Sequence, residues 1–251
     1  KKFMDNNEKA IRKLQEEIAD LSGDELFAFI LKEHSRWREY IVYPESAGAL
    51  AVAVLSTNWF DKKMEKWLGE KNTADTIIQS VPNSISSDTG LALLDVADVV
   101  RQYPAVLDYF DHAEDETFFE DLAGLEGGDA VCNSLRDYLE KFGMRCSGDI
   151  DITKTRWSEQ PTLLIPMILS NIKNFKPDSR NVKHEQGRLE SEQNIQDIAN
   201  RLKKLPGGNR KAEKAKRIAG IIRNYIGYRE YPKFAYIKRY YIYKQALLKE
   251  A

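Results

Sequence analysis

Apolar residues recur every three or four positions along most of the chain, and stretches that alternate apolar with polar are few. Strand signals are correspondingly weak, because the β-branched residues sit mostly inside helical patterns. Ser22-Gly-Asp-Glu25 has the spacing of a capping box, and Leu26, Phe29, Ile30, Glu33 and Trp37 follow it as one helical stripe. Pro44 suits the first position of a helix running through Ala53, where a missing amide proton costs nothing. Ser86-Ser87-Asp88 predicts a further helix start, with Leu91, Leu94, Val96, Val99 and Val100 on its buried side. Gly127-Gly128 and Pro206-Gly207-Gly208 are breaks. One long helix is expected over 181–205, and another from about Asn209 towards the end. The expected fold is all-α: antiparallel helices with long helices at the C-terminal end. The segment 143–161, with Gly143, Gly148 and Pro161, reads as a connection. It divides an N-terminal helical part, 1–142, from a part, 143–251, that carries the long helices.

Composition narrows the class. The 251 residues are 42% hydrophobic and 31% charged, with a net charge of −1, which suits a folded chain with a core. The longest apolar run, Ala47 to Leu55 around Gly48, is far shorter than the roughly 20 residues of a membrane span. No cationic start with an apolar stretch behind it suggests a secretory signal, and Cys132 and Cys146 fit a reducing compartment, so a cytoplasmic location is expected. The chain does not begin with Met and is expected to be a piece of a longer protein. Phosphate loops, Gly-rich dinucleotide loops and paired zinc ligands are missing from the sequence, and no metal site is expected. Charge is unevenly spread: 88–151 holds 16 acidic and 4 basic residues, and 201–251 holds 15 basic and 3 acidic. Such blocks suggest segments that share a cleft, or a basic tail that meets phosphate.

The most unusual stretch interleaves cations with aromatics from Arg223 to Tyr241. Arg229 and Lys233 are four apart and would share one helix face, with Glu230 able to brace the ammonium. Pro232 should kink the helix there, opening a place where a phosphate can sit between a planar guanidinium and a mobile ammonium. The plainer reading is an amphipathic helix with a solvated cationic side. Nucleic-acid binding through the same residues is disfavoured by the acidic half of the chain. Asp149 and Asp151 are too few for a hard cation and are expected to cap helices or to pair with Arg145 and Arg156. Gly48, after Ile41-Val42-Tyr43, and Gly90 permit close approach of a backbone or a bulky ligand, with helix packing as the alternative. His34, His112 and His184 show no nucleophile or ligand spacing.

Several long motifs carry a resemblance. Phe142-Gly-Met-Arg-Cys-Ser-Gly-Asp-Ile-Asp151, continuing to Pro161, followed by Pro166-Met-Ile-Leu-Ser-Asn-Ile-Lys-Asn-Phe175, resembles the central domain of rifampin phosphotransferases. So do Gly227-Tyr-Arg-Glu-Tyr-Pro-Lys233, the stretch 243–251, Trp67-Leu-Gly-Glu-Lys-Asn72 and Gly90-Leu-Ala-Leu-Leu-Asp-Val-Ala-Asp98. Asp149 stands where the family pattern has Glu. Phosphoenolpyruvate synthases are similar more loosely.

The resemblance implies an all-helical domain that binds a rifamycin. ATP and Mg would be bound by a grasp-type domain outside this chain, and a swivelling domain would carry a phosphohistidine. The β-phosphate of ATP would pass through that histidine to a hydroxyl of the antibiotic's ansa bridge, giving AMP and phosphate and inactivating the drug. Arg229 and Lys233 would then offset the charge of the transferring phosphoryl group, and Glu230 would orient the hydroxyl or hold Lys233. Ile41, Val42, Tyr43, Gly48 and Gly90 would form an apolar wall for the macrocycle. This chain alone would be inactive. Two other readings remain: an acceptor domain of a phosphoenolpyruvate-synthase-like enzyme with a different substrate, and a non-enzymatic helical interaction module.

Overall fold

The amphipathic stripes fold as helices throughout, and no strand occurs among the described residues. The computed structural model describes residues 2–41, 44–82 and 84–250; of residues 2–3, 37–41 and 44–47 it describes the backbone. The helices are α1 (Lys2–Ile18), α2 (Gly23–Ile41), α3 (Pro44–Leu68), α4 (Ile85–Val100), α5 (Pro104–Phe110), α6 (Phe118–Ala123), α7 (Gly128–Phe142), α8 (Ile165–Asn174), α9 (Ser179–Lys203), α10 (Gly208–Tyr225) and α11 (Tyr231–Glu250). Short 3₁₀ turns lie at Thr73–Ile77, Pro161–Leu164 and Ile226–Arg229. The all-α expectation holds, and no described helix is long and apolar enough to cross a membrane.

Local chemistry sets several boundaries. Ser22 precedes α2 and its carbonyl accepts the Leu26 amide at 3.2 Å. Gly127 and Gly207 take left-handed φ of 75° and 66° immediately before α7 and α10, a region that glycine enters without strain. A Cβ on Gly128 would come 1.7 Å from the Leu122 carbonyl oxygen, so only glycine fits the first position of α7. Two expectations shift. α3 continues to Leu68, well beyond Ala53. α4 begins at Ile85, so Ser86, Ser87 and Asp88 lie inside its first turn and not before it.

The chain divides into two compact units, each made of separated stretches: 1–85 with 183–235, and 86–182 with 236–251. The first has a core of Phe60, Met64, Ile77, Ile198, Leu202, Ala212, Ala215, Ala219 and Ile222, contributed by α3, the 73–77 turn, α9 and α10. On α1, Ile11, Leu14 and Ile18 are buried at helical spacing. The second packs α4 to α8 around Val96, Val100, Phe118, Leu122, Leu135, Leu164 and Ile168.

Within the second unit, 143–161 is a tightly bonded loop. Arg156 is completely buried; it donates to the carbonyls of Asp149 (2.9 Å) and Asp151 (2.8 Å) and to Cys146 Sγ (3.0 Å). Asp149 takes the Cys146 amide at 3.0 Å and pairs with Arg145 at 3.2 Å, and Arg145 also reaches Thr89 at 3.0 Å. Asp151 accepts the amide and hydroxyl of Thr153, and this holds its carboxyl below the usual range. The two aspartates are therefore structural, as expected, although Arg156 bonds their backbone carbonyls and not their carboxylates. Glu159 closes the loop, accepting from the Arg156 amide (2.9 Å), Lys244 (2.6 Å) and Gln245 (2.8 Å).

Arg156→Ala removes the buried guanidinium that bonds the carbonyls of Asp149 and Asp151, and the expected loss of stability is about 3–5 kcal/mol by denaturant unfolding of the chain. Arg156→Lys should recover little of it, because one ammonium cannot span both carbonyls as a planar fork does.

Candidate functional site

The cationic stretch is not one kinked helix. α10 ends at Tyr225, a 3₁₀ turn runs over Ile226–Arg229, and α11 begins at Tyr231. Arg229 closes the turn and Lys233 lies in the first turn of α11, so the two do not share a continuous helix face. Pro232 suits the arrangement: as the second residue of α11 it needs no amide partner. Glu230 links the two segments. Its amide meets the Gly227 carbonyl at 3.5 Å, and its own carbonyl accepts the Phe234 amide at 3.1 Å as the first bond of α11. Arg229 and Lys233 are exposed and Glu230 is half-buried.

Core packing decides where this junction stands in the first unit. α3 and α10 pair closely, and two contacts give their direction: the Lys211 ammonium lies 5.7 Å from the Trp67 ring, and the Lys214 ammonium lies 4.8 Å from the Trp59 ring. The helices are thus antiparallel, and the turn after α10 packs against α3 towards its N-terminal half. Ile226 joins the core there, and Gly227 is buried.

That half of α3 is the apolar run noted in the sequence. Ala53 is buried, yet Leu50, Val52, Val54 and Leu55 are exposed, Leu55 by 67%. On α2 of the same unit, Phe27 and Leu31 are also exposed. A helix that is apolar all round but reaches solvent is itself a signal of a ligand or partner surface. The run 47–55 carried that signal in the sequence, where its length bore only on a membrane span.

The predicted wall is resolved unevenly. Val42, Tyr43 and the side chain of Ile41 lie outside the described residues. Gly48 is on α3 and exposed, and a Cβ there would meet nothing within 4 Å. Gly90 is on α4, also exposed and equally open, but belongs to the second unit. Packing among the described residues therefore demands glycine at neither position.

Tyr231 holds the junction. It is 4% exposed, and its hydroxyl accepts from Asn7 Nδ2 at 3.2 Å and faces the Met4 carbonyl (3.1 Å) and Glu8 Oε1 (3.3 Å) on α1. Burial pushes this phenol up to about 12, with Glu8 adding to the rise and the Asn7 amide opposing it. On the other side, Arg223 near the end of α10 donates to the carbonyls of Ile77 (2.7 Å) and Gln79 (3.1 Å). Among the described residues no group of three or more His, Cys, Asp or Glu is arranged to hold a metal.

Comparison with known proteins supplies the family. Residues 45–230 match the model of the rifampicin phosphotransferase fourth domain. The chain is 50% identical over 249 residues to the rifampicin phosphotransferase of Bacillus subtilis (strain 168), covering 99% of this chain and 29% of that protein. It is 46% identical over 246 residues to the Bacillus cereus enzyme of the same name, covering 98% of this chain and 28% of that protein. With the one from Streptomyces sviceus it shares 40% over 249 residues, covering 99% and 29%. The chain thus spans less than a third of the length of the curated relatives it matches. With a 186-residue match to the domain model and half its positions shared with one relative, the chain belongs to the rifampicin phosphotransferase family.

Proposed function

We propose that this chain is the acceptor-binding domain of a cytoplasmic, ATP-dependent phosphotransferase that inactivates rifamycins. Its neighbours in the whole enzyme would be a grasp-type domain that binds ATP and Mg and a swivelling domain that carries the phosphohistidine. The β-phosphate of ATP would reach an ansa-bridge hydroxyl by way of that histidine, with AMP and inorganic phosphate released. One observation carries the reading: the exposed apolar half of α3 lies against the turn that ends in Arg229.

A rifamycin is large and mostly apolar, with a single hydroxyl to be modified. Leu50, Val52, Val54 and Leu55 offer area for the macrocycle, with Gly48 leaving room on the same helix. Arg229 and Lys233 stand at the amino end of α11, where the helix dipole adds positive potential. When the acceptor oxygen bonds to phosphorus and the bond to the histidine nitrogen breaks, charge spreads over the phosphoryl oxygens. Two cations and a helix terminus stabilise that charge without covalent chemistry. Glu230, between them, would orient the hydroxyl or hold Lys233. The relatives' shared name supports the rifamycin reading over a pyruvate-type acceptor, and the apolar surface favours it over a nucleic-acid module.

In the full-length enzyme, Lys233→Ala should abolish rifampicin phosphorylation while ATP binding stays intact; assays of both steps check this, and an active variant removes the assigned role. Calorimetry with rifampicin should show Leu55→Ser weakening binding by roughly tenfold, the worth of about 1.4 kcal/mol of apolar contact. Gly48→Ala separates stability from binding. With nothing within 4 Å of the added methyl, it should stabilise the chain by up to about 1 kcal/mol through helix propensity. The same methyl should lower rifampicin affinity if the drug lies against this helix.

A further inference from the structure

At the junction between α10 and α11 the Glu230 amide reaches the carbonyls of Gly227 (3.5 Å) and Tyr228, and the Glu230 carbonyl accepts the Phe234 amide at 3.1 Å. The side chain of Tyr231, one residue after Glu230 and two before Lys233, ties this junction to α1. The ring is buried, and the hydroxyl is received by α1 through Asn7 Nδ2 at 3.2 Å, the Met4 carbonyl at 3.1 Å and Glu8 Oε1 at 3.3 Å. A hydroxyl has one proton and two lone pairs, so accepting from Asn7 leaves that proton for Met4 or Glu8. The three partners surround the oxygen and fix where the first turn of α11 stands against α1.

We propose that Tyr231 is a positioning residue for the phosphoryl-acceptor site, and that Asn7 and the Met4 carbonyl form its seat on α1; this rests on the function proposed above. Tyr231 acts through its neighbours in sequence: its side chain faces α1 while Arg229 and Lys233 are exposed. Phosphoryl transfer depends on placing charge at the reacting group to within a fraction of an ångström, and a displacement of about 1 Å can lower rate by as much as a hundredfold. The macrocycle is held by apolar area on α3, whereas the partners of the Tyr231 hydroxyl lie on α1. Loosening the seat therefore lowers turnover and leaves drug affinity unchanged. Such a split is not what general destabilisation of the domain would give.

The test is steady-state kinetics on the full-length enzyme with Tyr231→Phe, which keeps the ring, and Asn7→Ala, which alters only the far partner on α1. Each should lower kcat roughly tenfold with KM for rifampicin within about twofold. Because both break one contact, the double variant should be no slower than the slower single variant. Wild-type kcat in both single variants, a loss carried in KM, or losses that multiply in the double variant would overturn the proposal. Lys233→Ala measured alongside distinguishes the two levels. If it is inactive while both seat variants match the wild type, the positioning role alone fails; if it is fully active, the acceptor-site reading itself fails.

Discussion

The antiparallel pairing of α3 with α10 decides where the charged junction can stand. Ala212, Ala215 and Ala219 lie on one face of α10 and are all buried, which lets the backbone of α10 approach Phe60 and Met64 on α3 closely. The start of α10 is pinned as firmly as its face. Gly207 has φ of 66°, and a Cβ on Gly208 would lie 2.3 Å from the Leu202 carbonyl oxygen. With start and face both set, the eighteen residues of α10 reach about 27 Å and deliver the 226–229 turn to the apolar half of α3. Larger side chains at the three alanines would push the helices apart by overpacking and move the turn with them.

Two locally unfavourable features meet at that place. A helix amino end disfavours nearby cations, yet Arg229 and Lys233 flank the start of α11. Exposed leucine and valine gain nothing from water, yet four of them lie close together on α3. Neither feature helps the isolated domain to fold. Glu230 already places one carboxylate between the two cations; a phosphoryl group at the helix start would add further negative charge to the first, and an apolar ligand on α3 would cover the second. A rifamycin receiving a phosphoryl group brings both together, whereas a small acid such as pyruvate would leave the apolar surface in water.

Most of the helical frame was legible because helix ends have local chemistry. Ser22, Gly127-Gly128 and Gly207-Gly208 each stand at a real boundary, and the expected helix over 181–205 is α9 to within two residues. The break at 226–230 was only half legible. Pro232 signalled a disturbance, but its effect was to begin a new helix and not to bend an old one, because Gly227 and the core contact of Ile226 favour a 3₁₀ turn just before it. Partners distant in sequence were not legible at all. Asn7 meets Tyr231 across 224 positions, and no spacing rule reports that. The first unit is discontinuous for the same reason: α9 and α10 return to pack with α3, a long-range contact that no composition change along the chain reports.

The loop 143–161 shows that the most recognisable stretch of a chain need not be its chemical centre. It holds the longest of the motifs by which the sequence resembles the family, and it holds two aspartates, a cysteine and two arginines close together, the residue types from which sites are built. Every one of them has a structural bond. Arg156 spends its donors on backbone carbonyls and a thiol, Asp149 is taken by Arg145 and the Cys146 amide, and Asp151 is taken by Thr153. A buried guanidinium needs acceptors close around it, and here the loop backbone supplies two of them and the Cys146 sulfur a third. The site proposed on α3 and at the head of α11 rests on fewer and more ordinary residues, because a surface that holds an apolar macrocycle and steadies one phosphoryl group asks for area and charge more than for a fixed hydrogen-bond network.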